Sequence, residues 1–281
     1  MKLSKNRSTE FLKRFIIWVL LLLTAFAVIG PIVVIVSSAF KTEEEIFSFP
    51  MSLIPNNPII ENFRSLNTDT VHFPLYIANS FKLTTIIVSI QVVTATMGGY
   101  AFAKLRWKGR DFVFLLFIAS IMIPIQVYII PQFIIVRSLG LYDTHLALIL
   151  ISVFTAFGTF MVKQFFMTIP DSLLESARID GAHEIAIFSR IMLPLSKPVL
   201  ATVIIFSFRF FWNDFFGPLI FLSSPEKKTL PLGLSDFATE YFTWYGPQMA
   251  ASLIAIIPVM IVFIAAQKYI IRGVIASGLK G

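Results

Sequence analysis

The chain contains no cysteine, which excludes a disulfide framework and any thiolate metal site. Charge is scarce. Asp, Glu, Lys and Arg make up 14% of the residues, against about 25% in an average soluble domain. Three histidines, His72, His145 and His183, are too far apart in sequence to form a metal site, and no His-Glu-x-x-His zinc motif occurs. There is no Gly-x-x-x-x-Gly-Lys-Ser/Thr phosphate loop, so ATP hydrolysis through that motif is excluded. The chain therefore lacks the equipment of an intramembrane enzyme, and no catalytic residue, metal or cofactor is expected in it.

Apolar residues are abundant: 57% of 281 residues, with a mean hydropathy of +0.82. The net charge of +7 does not indicate nucleic-acid binding, because the basic residues are scattered between apolar runs and not gathered on one face. Uncharged runs at 15–40, 83–103, 112–136, 146–162 and 241–267 are near or above the length that crosses ~30 Å of hydrocarbon as a helix. A further apolar stretch, 198–225, is interrupted by Arg209 and Asp214. Expected spans are about 15–40, 79–103, 112–136, 146–166 (with Lys163 snorkelling), 198–225 and 241–267. The first run is too long for the core of a signal peptide and is read as a retained helix. The fold class is an all-α polytopic membrane protein with six transmembrane helices.

Loop charge orients the spans. With the N-terminus inside, sixteen Lys/Arg fall on the cytoplasmic side, six fall outside, and Arg209 lies within a span. Both termini are thus expected in the cytoplasm: residues 1–14 as a short N-terminal segment, 15–271 as the membrane domain and 272–281 as a C-terminal tail. The outer segment 41–78 carries Glu43, Glu44, Glu45 and four prolines, and is expected to be irregular with a short helix. It is read as a solvated cap or as a contact surface for an external partner.

The loop 170–197, between the fourth and fifth spans, is charged and amphipathic. Pro170 stops the preceding helix, and Ser172 and Glu175 have capping-box spacing. Leu173, Leu174, Ala177 and Ile179 give an apolar side, and Gly181 is suited to a left-handed turn that closes the helix. A second amphipathic stretch from Ala182 to Arg190 leads to Pro194 and Pro198. The expectation is a helix–glycine–helix elbow on the cytoplasmic face. Interfacial helices favour a Lys/Arg-rich polar side. Here Glu175, Asp180 and Glu184 stand beside Arg178 and Arg190, so a protein partner fits better than anionic headgroups.

This loop resembles the EAA loop of ABC-importer permeases, whose pattern is Glu-Ala-Ala, three residues, Gly, about nine residues, then Ile-x-Leu-Pro. The chain reads Glu175-Ser176-Ala177, Gly181 and Ile191-Met192-Leu193-Pro194, with Ser176 in place of the usual alanine. Other stretches resemble the carbohydrate-uptake permeases of the maltose-transporter type. They are Ser37-Ser38 with Glu45-Ile46-Phe47, Asn79-Ser80, Gly99 to Ala103, Leu139-Gly140-Leu141, Trp212-Asn213-Asp214, and an ending from Gln267 to Gly281 that is similar to the second of the two permeases. The resemblance implies a permease subunit of an ATP-driven importer in a bacterial or archaeal cell membrane. It pairs with a second permease, receives a sugar from an external solute-binding protein, and rests on two ATP-binding subunits that hold ATP and Mg. The elbow is then the coupling helix, with Glu175, Ala177, Asp180, Gly181, Leu193 and Pro194 at the ATPase contact, and residues 272–281 also reach toward the ATPases. A non-sugar solute, such as a sugar phosphate or glycerol phosphate, is the alternative cargo. A secondary transporter is the further alternative, but no repeat relates the two halves.

Charges inside a span are costly and usually face a cavity or a partner. Arg209, Trp212, Asn213 and Asp214 are therefore candidates for the substrate path. For Arg209, a path-lining role and an ion pair with the second permease weigh equally. Most of the 30 phenylalanines are expected to pack or to face lipid. Gly98-Gly99 suits close helix packing, and Pro124, Pro131, Pro218 and Pro258 are expected to kink helices around a cavity.

Overall fold

The computed structural model describes residues 3–68, 72–238 and 242–278, with side chains for 10–68, 72–238, 242–265 and 267. Of the expected tail 272–281, residues 279–281 lie outside the described residues; the remainder is described only as helix. Every named element is helical. In chain order they are α1 (Leu3–Ser38), α2 (Glu43–Ile46), α3 (Glu61–Arg64), α4 (Phe73–Ala103), α5 (Arg110–Ala119), α6 (Ile125–Ser138), α7 (His145–Ile151), α8 (Ala156–Met167), α9 (Asp171–Ile179), α10 (Glu184–Ile187), α11 (Leu193–Leu195), α12 (Lys197–Trp212), α13 (Phe216–Phe221), α14 (Leu230–Leu234) and α15 (Tyr245–Gly278). A π turn spans Phe188–Met192.

Three of these helices are single segments long and apolar enough to cross a bilayer: α1, α4 and α15. Three further candidates are bent pairs: Arg110–Met122 with Ile125–Ser138 (101°), His145–Ile151 with Ala156–Met167 (41°), and Glu184–Leu195 with Lys197–Trp212 (74°). The expected spans at 112–136 and 146–166 are thus bent pairs, with the kink expected at Pro124 present, and the 74° bend falls just before 198–225. Pro124 holds extended backbone (φ −65°, ψ 142°) before α6, which ends one helix and starts another. Thr155 begins α8 by accepting the Gly158 amide at 3.0 Å. The stretch 198–225 breaks at residues 213–215, where Asp214 Oδ1 accepts the Gly217 amide at 3.1 Å. Pro131 and Pro258 sit inside helices.

The chain divides into two compact units. The first comprises residues 1–71 and 234–254. Most of α1 turns its apolar side chains outward, as suits a helix against lipid, with Phe26 and Leu22 largely exposed. At its end Ser37, Ser38 and Ala39 become buried. The following segment is more than a solvated cap: Lys41 is 1% exposed and donates to the Ser52 carbonyl. The Asn62 amide nitrogen donates to the carbonyls of Ala39 (3.0 Å) and Lys41 (2.8 Å). Phe47 meets Tyr245 edge-on at 4.9 Å, and the Gly246 amide donates to Glu43 at 3.1 Å.

The second unit comprises residues 72–233 and 255–281. Its spine is α4 packed on α8, and the glycine pair permits the approach. A Cβ on Gly99 would lie 2.5 Å from Val162 Cγ1 and 3.0 Å from the Lys163 amide nitrogen, and one on Gly98 would lie 3.1 Å from Thr159. Around this crossing Ala95, Tyr100, Val162, Phe166, Val199 and Val203 form one core. A second core, near Leu83, Val136, Leu148 and Phe221, is closed by a turn at Gly140. Its φ is +70°, and the amides of Gly140 and Leu141 bond back to Arg137 and Val136. This is the paired hydrogen-bond pattern that ends helices at a left-handed glycine. Lys163 does not simply reach for water: its ammonium lies 3.5 Å over the Phe114 ring.

Candidate functional site

The elbow forms, but not from the expected cap. The sequence α9 begins at Asp171 with Pro170 as N-cap, and no side chain caps it. Ser172 lies one residue inside the helix, and the Ser172–Glu175 capping box is absent. Proline's fixed extended geometry already sets the helix start. An acidic residue in the first turn, Asp171, favours the positive helix end. Asp171 instead receives the Lys104 ammonium at 2.5 Å, and the same ammonium donates to the Ile169 carbonyl at 2.6 Å. That ammonium holds the Asp171 carboxyl below its ordinary range.

The joint is where the glycine was expected. Gly181 has φ +82°. Its amide donates to Arg178 O at 3.0 Å, and the Ala182 amide donates to Ala177 O at 2.9 Å. The double bond pattern reverses the chain within two residues. Beyond it, α10 continues into the π turn and α11, then bends 74° into α12.

A residue that sequence reasoning treated as one of several polar surface charges, Glu184, ties the two arms together. Its Oε1 accepts from Arg178 Nε at 2.9 Å, across the glycine. Its Oε2 accepts from the Tyr100 hydroxyl of α4 at 2.5 Å. The Arg178 guanidinium and then the Tyr100 hydroxyl hold the Glu184 carboxyl below the usual glutamate range. Tyr100 packs edge-on against Phe166 and tilted against Phe188. The sequence shows Arg178 and Glu184 only as members of a mixed polar side, and their pairing across Gly181 comes from the fold. So does the Tyr100 contact, 84 residues distant.

Burial sorts the elbow's apolar residues into two sets. Leu174, Ile187 and Met192 are almost fully buried against the α4–α8 core, with Ala177, Ala182 and Phe188 packed beside them. Ile179 and Ile185 point outward, 86% and 73% exposed. The expected apolar side of α9 is therefore split: Leu174 and Ala177 anchor it, while Leu173 and Ile179 are free. Glu175, Asp180, Leu193 and Pro194 are exposed, and Ala177 is half-buried. Of the expected coupling residues, Ala177 and Gly181 build the elbow, and the other four are presented on its surface.

A cavity of about 1120 Å³ opens within the second unit. Its walls come from α4, α6, α7, α8, α12 and α13, and they include Arg209, Asn213, Asp214, Gln132, Tyr128 and several phenylalanines. Trp212 is not among them. It is 1% exposed, stacks on Phe208 at 5.6 Å and donates its indole N–H to Ala255 O in α15 at 3.0 Å. It therefore packs α12 against α15 and does not line the cavity. His145 Nε2 lies 2.9 Å from Lys227 O, and no metal-binding cluster occurs among the described residues. On the loops near α6 and α13, Asp143 binds the amides of Ser223 and Ser224 and the ammonium of Lys227.

Residues 91–276 match the family described as binding-protein-dependent transport system inner membrane component. The arabinooligosaccharides transport system permease protein AraQ of Halalkalibacterium halodurans is 34% identical over 259 residues, covering 92% of this chain and 93% of AraQ. The sn-glycerol-3-phosphate transport system permease protein UgpE of Pectobacterium atrosepticum is 31% identical over 266 residues, covering 92% and 95%. Among solved structures, a chain of a bacterial ABC transporter involved in the import of the acidic polysaccharide alginate superposes with a TM-score of 0.83 at 25% identity, covering 93% of this chain and 97% of that one. The chain belongs to the binding-protein-dependent inner membrane components of ABC transporters, and is a membrane-embedded transport permease and not an enzyme.

Proposed function

We propose that this permease translocates a sugar or oligosaccharide delivered by an external binding protein, and that it is driven through the elbow at 171–195 by separate ATP-binding subunits. The observation that carries the coupling role is the elbow's construction. One set of apolar residues and the Arg178–Glu184–Tyr100 contacts fix it to α4 and α8. A second set, Ile179 and Ile185 with Glu175 and Asp180, is left open at its tip. Exposed isoleucines flanked by carboxylates suit a protein groove with basic edges better than lipid headgroups. In this reading the six segments cross the membrane with both termini and the elbow in the cytoplasm. A second permease completes the pathway, ATP and Mg reside in the partner subunits, and Arg209, Asn213 and Asp214 line the path.

The absence of cysteine makes the test direct. A single cysteine introduced by Ile179→Cys or Ile185→Cys is the only thiol in the chain. With a cysteine-free ATP-binding subunit carrying one engineered thiol at its groove, crosslinking should depend on the nucleotide state. No crosslink from either position in an assembled transporter would overturn the coupling role. A reporter fused to the C-terminus tests orientation, and an extracytoplasmic signal refutes it.

A further inference from the structure

We infer that the cargo carries a negative charge, a carboxylate or a phosphate on a sugar-sized body, and that Arg209 receives it. This deepens the proposed function and rests on the cavity being the substrate path. A guanidinium within a membrane span is costly unless it is paired or faces a polar cavity. Arg209 is exposed to the cavity, and no carboxylate among the described residues lies within ion-pair distance of it. The one acidic residue in the same wall, Asp214, is engaged by the backbone amides of Gly217 and Phe216 at the start of α13. Asp214 thus satisfies the helix break, and the cation is left for something else.

The rest of the wall suits a sugar body. The volume, about 1120 Å³, is at or above the ~300–1,000 Å³ of ordinary ligand pockets. Tyr128 and Phe210 offer aromatic faces. Two buried side-chain oxygens in the lining, Gln132 Oε1 and Thr229 Oγ1, have no hydrogen-bond partner, and Thr229 is 5% exposed. Such groups are costly to leave unmade, and hydroxyl donors on a sugar would satisfy them. A neutral sugar would use these contacts but not the guanidinium. Arginine's planar fork suits the paired oxygens of carboxylate or phosphate.

The test uses the complete transporter, both permeases with the ATP-binding subunits and binding protein, in liposomes. ATP hydrolysis and uptake are measured with three probes: a neutral arabinooligosaccharide, a uronate oligosaccharide, and sn-glycerol 3-phosphate. Stimulation by the second or third alone is expected, and which of the two acts identifies carboxylate or phosphate. Arg209→Gln should lower uptake of that probe at least tenfold, and Arg209→Lys should restore part of it. Stimulation by the neutral probe alone overturns the inference while leaving sugar import standing. Unchanged uptake in Arg209→Gln overturns it as well. So does loss of the second permease on purifying that variant, which would assign the guanidinium to an ion pair between subunits. If no probe stimulates an assembled, ATP-hydrolysing complex, the sugar reading falls together with the inference.

Discussion

Replacing Gly181 with valine tests the elbow with little steric confusion. A Cβ at this position would meet nothing within 4 Å, so the substitution creates no clash. What changes is the backbone. At φ +82° an L-residue with a side chain pays about 1–2 kcal/mol, and a β-branched residue is among the least tolerant of that region. The two bonds that define the turn, Gly181 to Arg178 and Ala182 to Ala177, oppose relaxation, as does the Arg178–Glu184 pair across it. The strain therefore shifts the balance from the bent to an opened elbow by roughly 5- to 30-fold. Membrane insertion and helix content should be unaffected, because no buried contact is lost. Substrate-stimulated ATP hydrolysis and uptake, measured on the reconstituted transporter, should fall together, by up to that factor. Gly181→Asn, which tolerates the left-handed region, should keep most of the activity. Normal uptake in the valine variant would refute the reasoning, as would an equal loss in the asparagine variant.

Four further outcomes follow from contacts elsewhere in the structure. Gly99→Val should overpack the α4–α8 crossing, where Val162 would be 2.5 Å from the new Cβ, and should lower thermal stability in detergent by about 1–3 kcal/mol. Gly30→Ala, where nothing lies within 4 Å, should leave it unchanged or slightly raised. Glu184 has its carboxyl pKa lowered in the folded elbow by Arg178 and Tyr100. Its contribution is therefore present at neutral pH and lost only as pH falls through and below the ordinary glutamate range. Hydrogen exchange of residues 175–190 should accelerate in that acidic window, and Glu184→Gln should abolish the pH dependence. Trp212→Phe should keep the stack on Phe208 but lose the bond to Ala255 O. It should cost about 1 kcal/mol of stability without changing which probe is transported; altered cargo preference would return Trp212 to the path.

Hydropathy marks the apolar stretches because burial in lipid demands it of almost every residue along a span. It does not mark where those stretches break. Pro124 marks the bend before Ile125, but the break at 213–215 depends on which group takes up the freed backbone donors, and Asp214 does so from within an apolar run. Gly181 is legible because only a left-handed residue closes that turn, and Gly98-Gly99 because small residues let helices approach. The capping box at Ser172 is misleading because Pro170 sets the helix start first. Trp212 sits in a motif that resembles the family, yet its side chain points at α15. The face a residue takes on a helix that is apolar on every side cannot be read from periodicity. Glu184 needed a partner 84 residues away to become more than surface charge.

One consequence follows from α4 being a single unbroken helix of 31 residues, in contrast to the bent pairs around it. Tyr100, near its end, grips Glu184. Gln91 and Ser80, farther along the same helix, line the cavity. From Tyr100 to Ser80 is about 30 Å at ~1.5 Å per residue, with no proline between and with Gly98-Gly99 packed tightly on α8. The helix is a stiff connecting rod. A displacement applied at the elbow reaches the cavity wall with nothing along the way to absorb it. The same rod reports back: crowding at Ser80 or Gln91 would be felt at Glu184, so the filled or empty state of the cavity is mechanically visible at the elbow.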